Sequence, residues 1–309
     1  MSLPQSVALC DVGPRDGFQF EDQFIPTDLK VETITALADA GLPRIQVASF
    51  VHPKWVPQMK DAEAVCERLP ERDDVTYAGL ALNQRGLERA HAADLSQVDL
   101  SIATHDQHSQ DNANRTVEEA VAQAEDMVRL AHEQGLDVQM GFQTVFGYRA
   151  PGDTPLDQVV DMSRHFADLG IESLSLADST GLANPRMIKA RVRAVRDVVG
   201  GTPLVLHLHD TRGLGLANVY AALQCGVDRF DTSLAGMGGC PFIDGATGNI
   251  ATEDTTYLLE GLGIDTGVDR TVVGRASARL ESFLEKEFPG KLHRLPRRAE
   301  APGDGAPSE

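Results

Sequence analysis

Two histidines at the end of an apolar stretch are the residues of this chain best suited to chemistry. They are His207 and His209, in the stretch Leu204–Asp210 (LVLHLHD). Successive side chains on a β-strand point to opposite faces, so residues two apart share a face. The apolar run after Pro203 favours a strand. A strand places both imidazoles within reach of one metal ion; the alternative is a pair of ordinary barrel or loop histidines.

A carboxylate and an amide elsewhere in the chain extend this pair to a candidate metal site. Asp16 follows the first apolar run, and Asn249 ends a glycine-rich loop. One carboxylate, two imidazoles and one amide oxygen suit an octahedral divalent ion, Mg²⁺ or Mn²⁺, whereas structural zinc favours more thiolate or histidine. For the neighbouring Asp210 a helix cap is the simpler explanation.

The glycine-rich loop itself, Gly236–Asn249 (GMGGCPFIDGATGN), is too long for a simple turn. Loops of this length are irregular segments or functional lids. Cys240 within it is a candidate proton donor that arrives when the lid closes. The alternative is a buried, inert thiol, which is the usual state of a cysteine.

Eight short apolar runs alternate with amphipathic stretches, which predicts parallel strands joined by helical crossovers. The predicted strands are Val7–Val12, Arg44–Phe50, Tyr77–Leu82, Val98–Thr104, Val138–Thr144, Ser173–Ala177, Leu204–Asp210 and Phe230–Leu234. The predicted helices are Asp28–Ala40, Ala62–Arg68, Gln84–Ala92, Val117–Gln134, Leu156–Leu169, Pro185–Val199, Leu216–Gln224 and Glu253–Leu262. Eight such units close into a (β/α)₈ TIM barrel, whose active site lies at the carboxyl ends of the strands. A doubly wound open sheet explains less well why polar residues follow so many strands.

The fold class is therefore α/β, with one barrel domain over residues 1–268. A C-terminal helical extension follows over residues 269–296 and contains a helix predicted at Ser277–Phe288. Residues 297–309 have the composition of a disordered tail.

Composition restricts the partners of this protein. The 28 Lys and Arg against 46 Asp and Glu give a net charge of -18, which argues against nucleic acid or an anionic membrane surface as a partner. The four cysteines show no CxxC spacing, as in a reduced, cytoplasmic protein. No signal-peptide pattern and no apolar run of roughly 18 residues is present. We expect a cytoplasmic protein with a small-molecule ligand.

Four ordered segments resemble hydroxymethylglutaryl-CoA lyase, a member of a wider group of metal-dependent barrel lyases, aldolases and acyl synthases. The likeness runs from about residue 7 to residue 268. The segments are DVGPRDGFQ (Asp11–Gln19), SFVHPKWVPQMKD (Ser49–Asp61), LHLHDTRGLGLAN (Leu206–Asn218) and AGMGGCPFIDGATGNIATED (Ala235–Asp254).

This resemblance implies a carbon–carbon lyase with a divalent metal cofactor and an acyl-CoA substrate; barrels of this kind often form dimers. It places Asp16, His207, His209 and Asn249 at the metal-ligand positions. It makes Arg15 the catalytic arginine, Cys240 the lid cysteine, and Asp178 and Glu253 supporting acids. An ion pair with an acid such as Glu253 is the structural alternative for Arg15.

The sequence departs from the family pattern on the substrate side. Gln46 stands where the family has a glutamate on the second strand, and Phe20 stands where it has an asparagine. After the fourth strand the segment HDQH supplies His105 and Asp106, flanked by His108. This trio could replace the missing acid–base capacity, although surface histidines explain the segment equally well. Gln19, Phe20 and Ser49 are the predicted substrate contacts.

Three functions follow from these patterns. The first is cleavage of a 3-hydroxy-3-methylglutaryl-CoA-like thioester to acetyl-CoA and a keto acid (acetoacetate). The second is a lyase or aldolase for a different hydroxyacyl-CoA or free hydroxy acid, in a pocket reshaped by Gln46 and Phe20. The third is a metal-binding barrel without turnover, which Gln46 alone favours.

Overall fold

Eight parallel strands form a closed barrel in sequence order in the computed structural model, which describes residues 3–239 and 247–295. The strands are β1 (Ala8–Asp11), β2 (Arg44–Ser49), β3 (Thr76–Leu80), β4 (Gln97–Ala103), β5 (Asp137–Gln143), β6 (Ser173–Asp178), β7 (Leu204–Leu208) and β8 (Arg229–Thr232). The barrel closes because β1 pairs with β8, with Leu9 opposite Phe230. The predicted (β/α)₈ barrel is confirmed, and an open sheet is excluded.

Ten α-helices surround the barrel in the described part of the chain. They are α1 (Thr27–Asp39), α2 (Ala62–Cys66), α3 (Gln84–Ala92), α4 (Asp106–Ala113), α5 (Val117–Glu133), α6 (Leu156–Asp168), α7 (Pro185–Arg196), α8 (Gly215–Leu223), α9 (Thr252–Gly261) and α10 (Arg270–Leu284). Local sequence explains their starts: α5 begins with a capping box between Thr116 and Glu119, and α7 with an Asn184 cap before Pro185.

Helix α4 was not predicted, because its sequence DQHSQDNA carries almost no apolar residues. The segment HDQH is therefore the start of a helix rather than a loop. His108 and Ser109 form the buried face of α4, and the helix ends at Asn114 in the left-handed conformation (φ 51°). A polar helix of this kind leaves no periodic apolar signal in the sequence.

The C-terminal helix begins earlier than the predicted Ser277–Phe288. Asp269 caps α10 by accepting a hydrogen bond from the Thr271 backbone N–H at 2.8 Å. The helix ends where Glu285 adopts a left-handed conformation (φ 52°). The predicted tail 297–309 lies outside the described residues, and the domain boundary at residue 268 stays a prediction.

The interior of the barrel is polar, whereas barrels of this class are usually filled with bulky apolar side chains. Arg44 forms an ion pair with Asp99 and donates from Nε to Gln97 Oε1 at 2.7 Å. Ser173 Oγ donates to Gln139 Oε1 at 3.0 Å. The apolar core lies instead between the strands and the helices. A hydrogen-bonded network therefore underlies the carboxyl ends of the strands.

The turn after β1 is held by Asp11. Its Oδ1 accepts from the Gly13 backbone N–H at 2.8 Å and its Oδ2 from the Thr252 hydroxyl at 2.7 Å. The turn is one π-helical turn, Gly13–Gly17, and a Cβ at Gly13 would lie 2.2 Å from Leu234 Cδ2, so only glycine fits there. Burial raises the pKa of Asp11 to about 7.

No helix in residues 3–239 and 247–295 combines the length and apolarity needed to cross a lipid bilayer.

Asp11 gives the fold a testable pH dependence. Its pKa lies above the ordinary value of 3.8, so folding favours the protonated carboxyl, and the associated stability is lost as the pH rises from about 4 to about 7. We expect Asp11→Asn, which carries no charge at any pH, to reduce the fall in Tm between pH 5 and pH 8. Asp137→Asn, at an exposed position, is the matched control. Equal slopes for wild type and Asp11→Asn would contradict this account.

Candidate metal centre

Three side chains converge at the carboxyl end of the barrel. Asp16 lies on the turn after β1, His207 lies in β7, and His209 lies one residue beyond the end of β7, in a bridge with Asn249. One ligand atom from each of Asp16, His207 and His209 lies within 4.8 Å of the others. The strand β7 ends at Leu208, two residues before the predicted end at Asp210. The predicted convergence of the two imidazoles is confirmed, because their Nε2 atoms lie 3.2 Å apart.

The electrostatics of this group favour a cation. Burial opposes ionisation of Asp16, but the Arg15 guanidinium and the two imidazoles hold its pKa below the ordinary value. Burial also opposes protonation of His207, yet its bond to Asp231 raises the pKa of that imidazole. Burial and the neighbouring His207 lower the pKa of His209 to about 3. The two imidazoles therefore do not both take a proton, and the carboxylate beside them stays ionised.

Asn249 completes a donor set that fits a divalent ion. Its Nδ2 donates to Asp16 Oδ2 at 2.7 Å and to the Met237 carbonyl at 3.0 Å. Its Oδ1 is buried and has no hydrogen-bond partner within the described residues. Because a buried carbonyl oxygen without a partner is costly, this atom fits the role of a fourth ligand. Oxygen and imidazole donors together suit Mg²⁺ or Mn²⁺.

Asp231 on β8 orients one of the imidazoles and was missed from the sequence. Its Oδ2 lies 3.4 Å from His207 Nδ1 and accepts from the Ser175 hydroxyl at 3.3 Å. Because Nδ1 of His207 faces this carboxylate, Nε2 is left to face the other ligand atoms. A carboxylate commonly orients a metal-bound histidine in this way. An acid inside the predicted strand Phe230–Leu234 was the signal that the sequence offered.

Arg15 belongs to a chain of polar contacts that runs into the barrel. Its Nη1 pairs with Asp16 Oδ1 at 2.7 Å, and its Nε donates to Gln46 Oε1. Gln46 Nε2 in turn donates to Asp99 Oδ2. The ion pair considered as the alternative for Arg15 thus forms with Asp16 rather than with Glu253. Asp99 was also missed; burial raises its pKa, while Arg44 opposes that shift.

A cavity of about 490 Å³ opens over these groups. The predicted residues that line it are Arg15, Asp16, Gln19, Phe20, Gln46, His207 and His209. His108, Ser101 and Gln143 line it as well. The cavity thus joins Asp16, His207 and His209 with the arginine and several polar side chains in one space, whereas Asn249 does not line it.

His105 and Ser49 are among the predicted residues that do not line this cavity. The His105 imidazole lies 3.6 Å from the Asp153 carboxylate and against the Tyr148 ring, and His108 lines the cavity in its place. Ser49 is buried at the end of β2 and does not line the cavity.

The two supporting acids form structural contacts. Asp178 accepts backbone N–H groups of the β6–α7 loop, among them Leu182 at 2.8 Å, and burial raises its pKa to about 7. Glu253 accepts from the Ala235 N–H at 3.0 Å and from the Ser277 hydroxyl. Neither lines the cavity, so their catalytic roles stay predictions. The predicted lid cysteine, Cys240, lies outside the described residues.

Asp210 bonds to the start of α8 as the helix-cap prediction requires, although Leu214 occupies the N-cap position itself. Its Oδ1 accepts from the backbone N–H of Gly215, the first residue of α8, at 2.7 Å. It is not one of the converging ligand groups.

Comparisons with a family model, with curated proteins and with solved structures all match this chain to the same family of lyases. The HMGL-like family matches residues 6–279. A hydroxymethylglutaryl-CoA lyase of Bacillus subtilis is 37% identical over 291 residues, covering 94% of this chain and 97% of that protein. A 3-hydroxy-3-isohexenylglutaryl-CoA/hydroxymethylglutaryl-CoA lyase of Pseudomonas aeruginosa is 39% identical over 286 residues, covering 93% and 95%. The structure of an HMG-CoA lyase of Acinetobacter baumannii with coenzyme A and 3-methylmalate superposes with a TM-score of 0.89 at 34% identity, covering 100% of both chains.

The contact between Asp231 and His207 leads to a prediction about metal affinity. We expect Mn²⁺ to bind the purified protein and Asp231→Asn to weaken that binding about 10- to 100-fold, because the imidazole loses its orienting carboxylate. Isothermal titration calorimetry measures the change. Asp210→Asn is the control, since an asparagine oxygen can still accept from Gly215. Unchanged affinity in Asp231→Asn would contradict the assigned contact.

Proposed function

The chain belongs to the HMGL-like family, and we propose that it is a divalent-metal-dependent carbon–carbon lyase acting on a 3-hydroxy-3-methylglutaryl-CoA-like thioester. The products are acetyl-CoA and a keto acid, acetoacetate when the substituent is methyl. One observation carries the proposal: the ligand atoms of Asp16, His207 and His209 converge within 4.8 Å beside Arg15, at the mouth of a barrel. The full-length match to lyases of this kind supports the substrate class.

Asp16, His207, His209 and Asn249 would hold the ion, and we assign it as Mg²⁺ or Mn²⁺. When bound, such an ion acidifies a substrate hydroxyl and fixes its position. The chain supplies the rest of the binding geometry: Asp231 orients His207, and the Arg15 ion pair fixes a carboxylate oxygen of Asp16.

The bond-breaking step requires a base. Gln46 cannot accept a proton, since its side chain is an amide. Outside the candidate ligands and Asp231, Asp99 is the carboxylate among the described residues lining the cavity. We assign the hydroxyl proton to Asp99, whose raised pKa suits a proton acceptor. As the O–H electron pair forms the new carbonyl, the C–C bonding pair moves onto the thioester as an enolate.

Arg15 stabilises the enolate oxygen, because its guanidinium lines the cavity and offers several N–H donors to a developing negative charge. Protonation of the enolate carbon then gives acetyl-CoA, and we assign that proton to Cys240. One proton leaves the hydroxyl and one reaches carbon, and the cycle closes when Asp99 releases its proton to solvent and the Cys240 thiolate takes one up.

Two further assignments belong to the same proposal. We propose that the protein acts as a homodimer in the cytoplasm.

A different hydroxyacyl-CoA or hydroxy acid is the second candidate substrate, favoured by Gln46 and its contact with Asp99. Turnover of CoA and free-acid substrates compared side by side distinguishes the two.

The activity itself is the first test. We expect purified protein with Mg²⁺ or Mn²⁺ and 3-hydroxy-3-methylglutaryl-CoA to release acetyl-CoA. Arg15→Gln should lower kcat by about 10²- to 10³-fold, because it removes the charge that stabilises the enolate. Arg15→Lys keeps the positive charge but lacks the paired N–H donors of a guanidinium. Its kcat should lie between those of wild type and Arg15→Gln. Full activity in Arg15→Gln would disprove the assigned role.

Asp99→Asn tests the proton acceptor. The asparagine oxygen can still accept from Gln46, so the variant loses mainly the ability to take a proton, and we expect kcat to fall by about 10²- to 10⁴-fold. Circular dichroism and Tm must first show a folded protein, because Arg44 loses its buried partner. A folded variant with kcat within about twofold of wild type would rule out Asp99 as the base.

A further inference from the structure

The chain beyond α10 packs back against the carboxyl end of the barrel. We call residues 286–292 the C-terminal segment; it begins two residues after α10 ends. At its start, Lys286 Nζ lies 2.7 Å from the Glu21 carboxylate in the loop after β1. At its end, the Leu292 N–H donates to Asp254 Oδ1 at 2.9 Å, in the first turn of α9. Both acids are buried, so the segment is fixed at each end by a buried carboxylate.

Between these two contacts, the backbone of Gly290 meets the loop after β8. Its N–H donates to the Ala235 carbonyl at 2.8 Å. A Cβ at Gly290 would lie 2.7 Å from that oxygen and 2.8 Å from the carbonyl carbon, so a larger residue would displace the loop. A Cβ at Gly236 would lie 3.3 Å from the Gly290 nitrogen and 3.3 Å from the Asn249 carbonyl oxygen. The C-terminal segment, the loop after β8 and Asn249 therefore meet at one point.

Ala235 has a backbone conformation that its side chain disfavours. Its φ of 52° and ψ of 10° lie in the left-handed region, which a residue with a Cβ keeps only where its surroundings hold it. Two partners hold Ala235. Its N–H donates to the Glu253 carboxylate at 3.0 Å, and its carbonyl accepts from Gly290. Loss of the contact with Gly290 would therefore remove one of the two restraints on this conformation.

The conformation of Ala235 determines where the carbonyl of Met237 points, because Met237 ends the same turn. That carbonyl accepts from Asn249 Nδ2 at 3.0 Å, and Asp16 Oδ2 accepts from the same nitrogen at 2.7 Å. Both amide hydrogens are thus used, so Oδ1, which has no partner within the described residues, is the atom left for an ion. The backbone of Asn249 is held separately, by its bridge to His209. Met237 therefore controls the rotation of the side chain rather than the position of the backbone.

We propose that Gly290 is a positioning residue for the metal ligand Asn249. Gly290 does not line the cavity. It acts by holding Ala235, so that the Met237 carbonyl keeps the Asn249 amide turned with Oδ1 toward the ion. The inference rests on the proposed function, because it takes Asn249 as a ligand, and it gives the C-terminal segment a part in metal affinity.

The test measures the Kd for Mn²⁺ by isothermal titration calorimetry on the full chain. Gly290→Ala should weaken binding about tenfold or more, because its Cβ displaces Ala235 and the groups that orient a ligand contribute strongly to metal affinity. Gly261→Ala is the matched control. Gly261 ends the helix α9, and a Cβ there meets nothing within 4 Å, so its Kd should equal that of wild type.

The effect of Gly290→Ala must also depend on Asn249. Asn249→Ala should weaken Mn²⁺ binding by itself. Adding Gly290→Ala to it should change the Kd by less than about twofold, because the ligand through which Gly290 acts is then absent. A merely structural role for Gly290 would lower the Tm and leave the Kd unchanged, or would weaken binding equally with and without Asn249. Either of these two results overturns the inference.

The remaining outcomes separate the inference from the function on which it rests. If circular dichroism shows that Gly290→Ala does not fold, Asp254→Ala replaces it. This variant removes the acceptor of the Lys291 and Leu292 N–H groups and should weaken Mn²⁺ binding in the same Asn249-dependent way. An unchanged Kd in Asn249→Ala overturns the inference and leaves the lyase function standing. No binding of Mn²⁺ by wild type contradicts the proposed metal site and the inference together.

Discussion

Two imidazole nitrogens facing each other at 3.2 Å beside a buried carboxylate are the constraint on which the rest of this molecule depends. Burial opposes protonation of His207, but its bond to Asp231 raises the pKa of that imidazole, whereas burial and His207 lower the pKa of His209 to about 3, so the two rings do not both take a proton. The barrel makes the contact possible, because it brings the carboxyl ends of β1 and β7 to one mouth although they lie nearly 200 residues apart in sequence. Two imidazoles beside an ionised carboxylate are a donor set that suits a divalent ion.

The polar barrel interior connects this group to the scaffold. One branch runs from His207 to Asp231 and Ser175, and the other runs from Arg15 through Gln46 to Asp99 and Arg44. A buried ion pair adds little net stability, because desolvation offsets most of the attraction. The ion pair between Arg44 and Asp99 instead serves to orient Gln46. Asp99 accepts from the side-chain NH2 of Gln46, so the side-chain carbonyl of Gln46 faces Arg15. Gln46 on β2 is thus held between the arginine after β1 and the carboxylate on β4.

Much of the fold was predictable from the sequence because strands and helices differ in the period of their apolar residues. The two-residue alternation of a strand also placed His207 and His209 on one face. The predicted barrel placed Asp16 near them, because the carboxyl ends of all its strands lie at one mouth. Helix α4 could not be found this way, since its buried face is made of His108 and Ser109. Asp99 and Asp231 were missed because pairing across a barrel depends on strand register, which a single sequence does not specify. The placing of Glu253 against Ser277 likewise depends on how α10 docks.

The central claim is that Asp16, His207 and His209 hold one divalent cation. A crystal structure of the protein grown with Mn²⁺, with anomalous diffraction recorded at the manganese absorption edge, measures this directly. The account predicts one strong peak about 2.0 to 2.3 Å from a carboxylate oxygen of Asp16 and from Nε2 of both histidines. A crystal with saturating Mn²⁺ and no peak among these three side chains would contradict it.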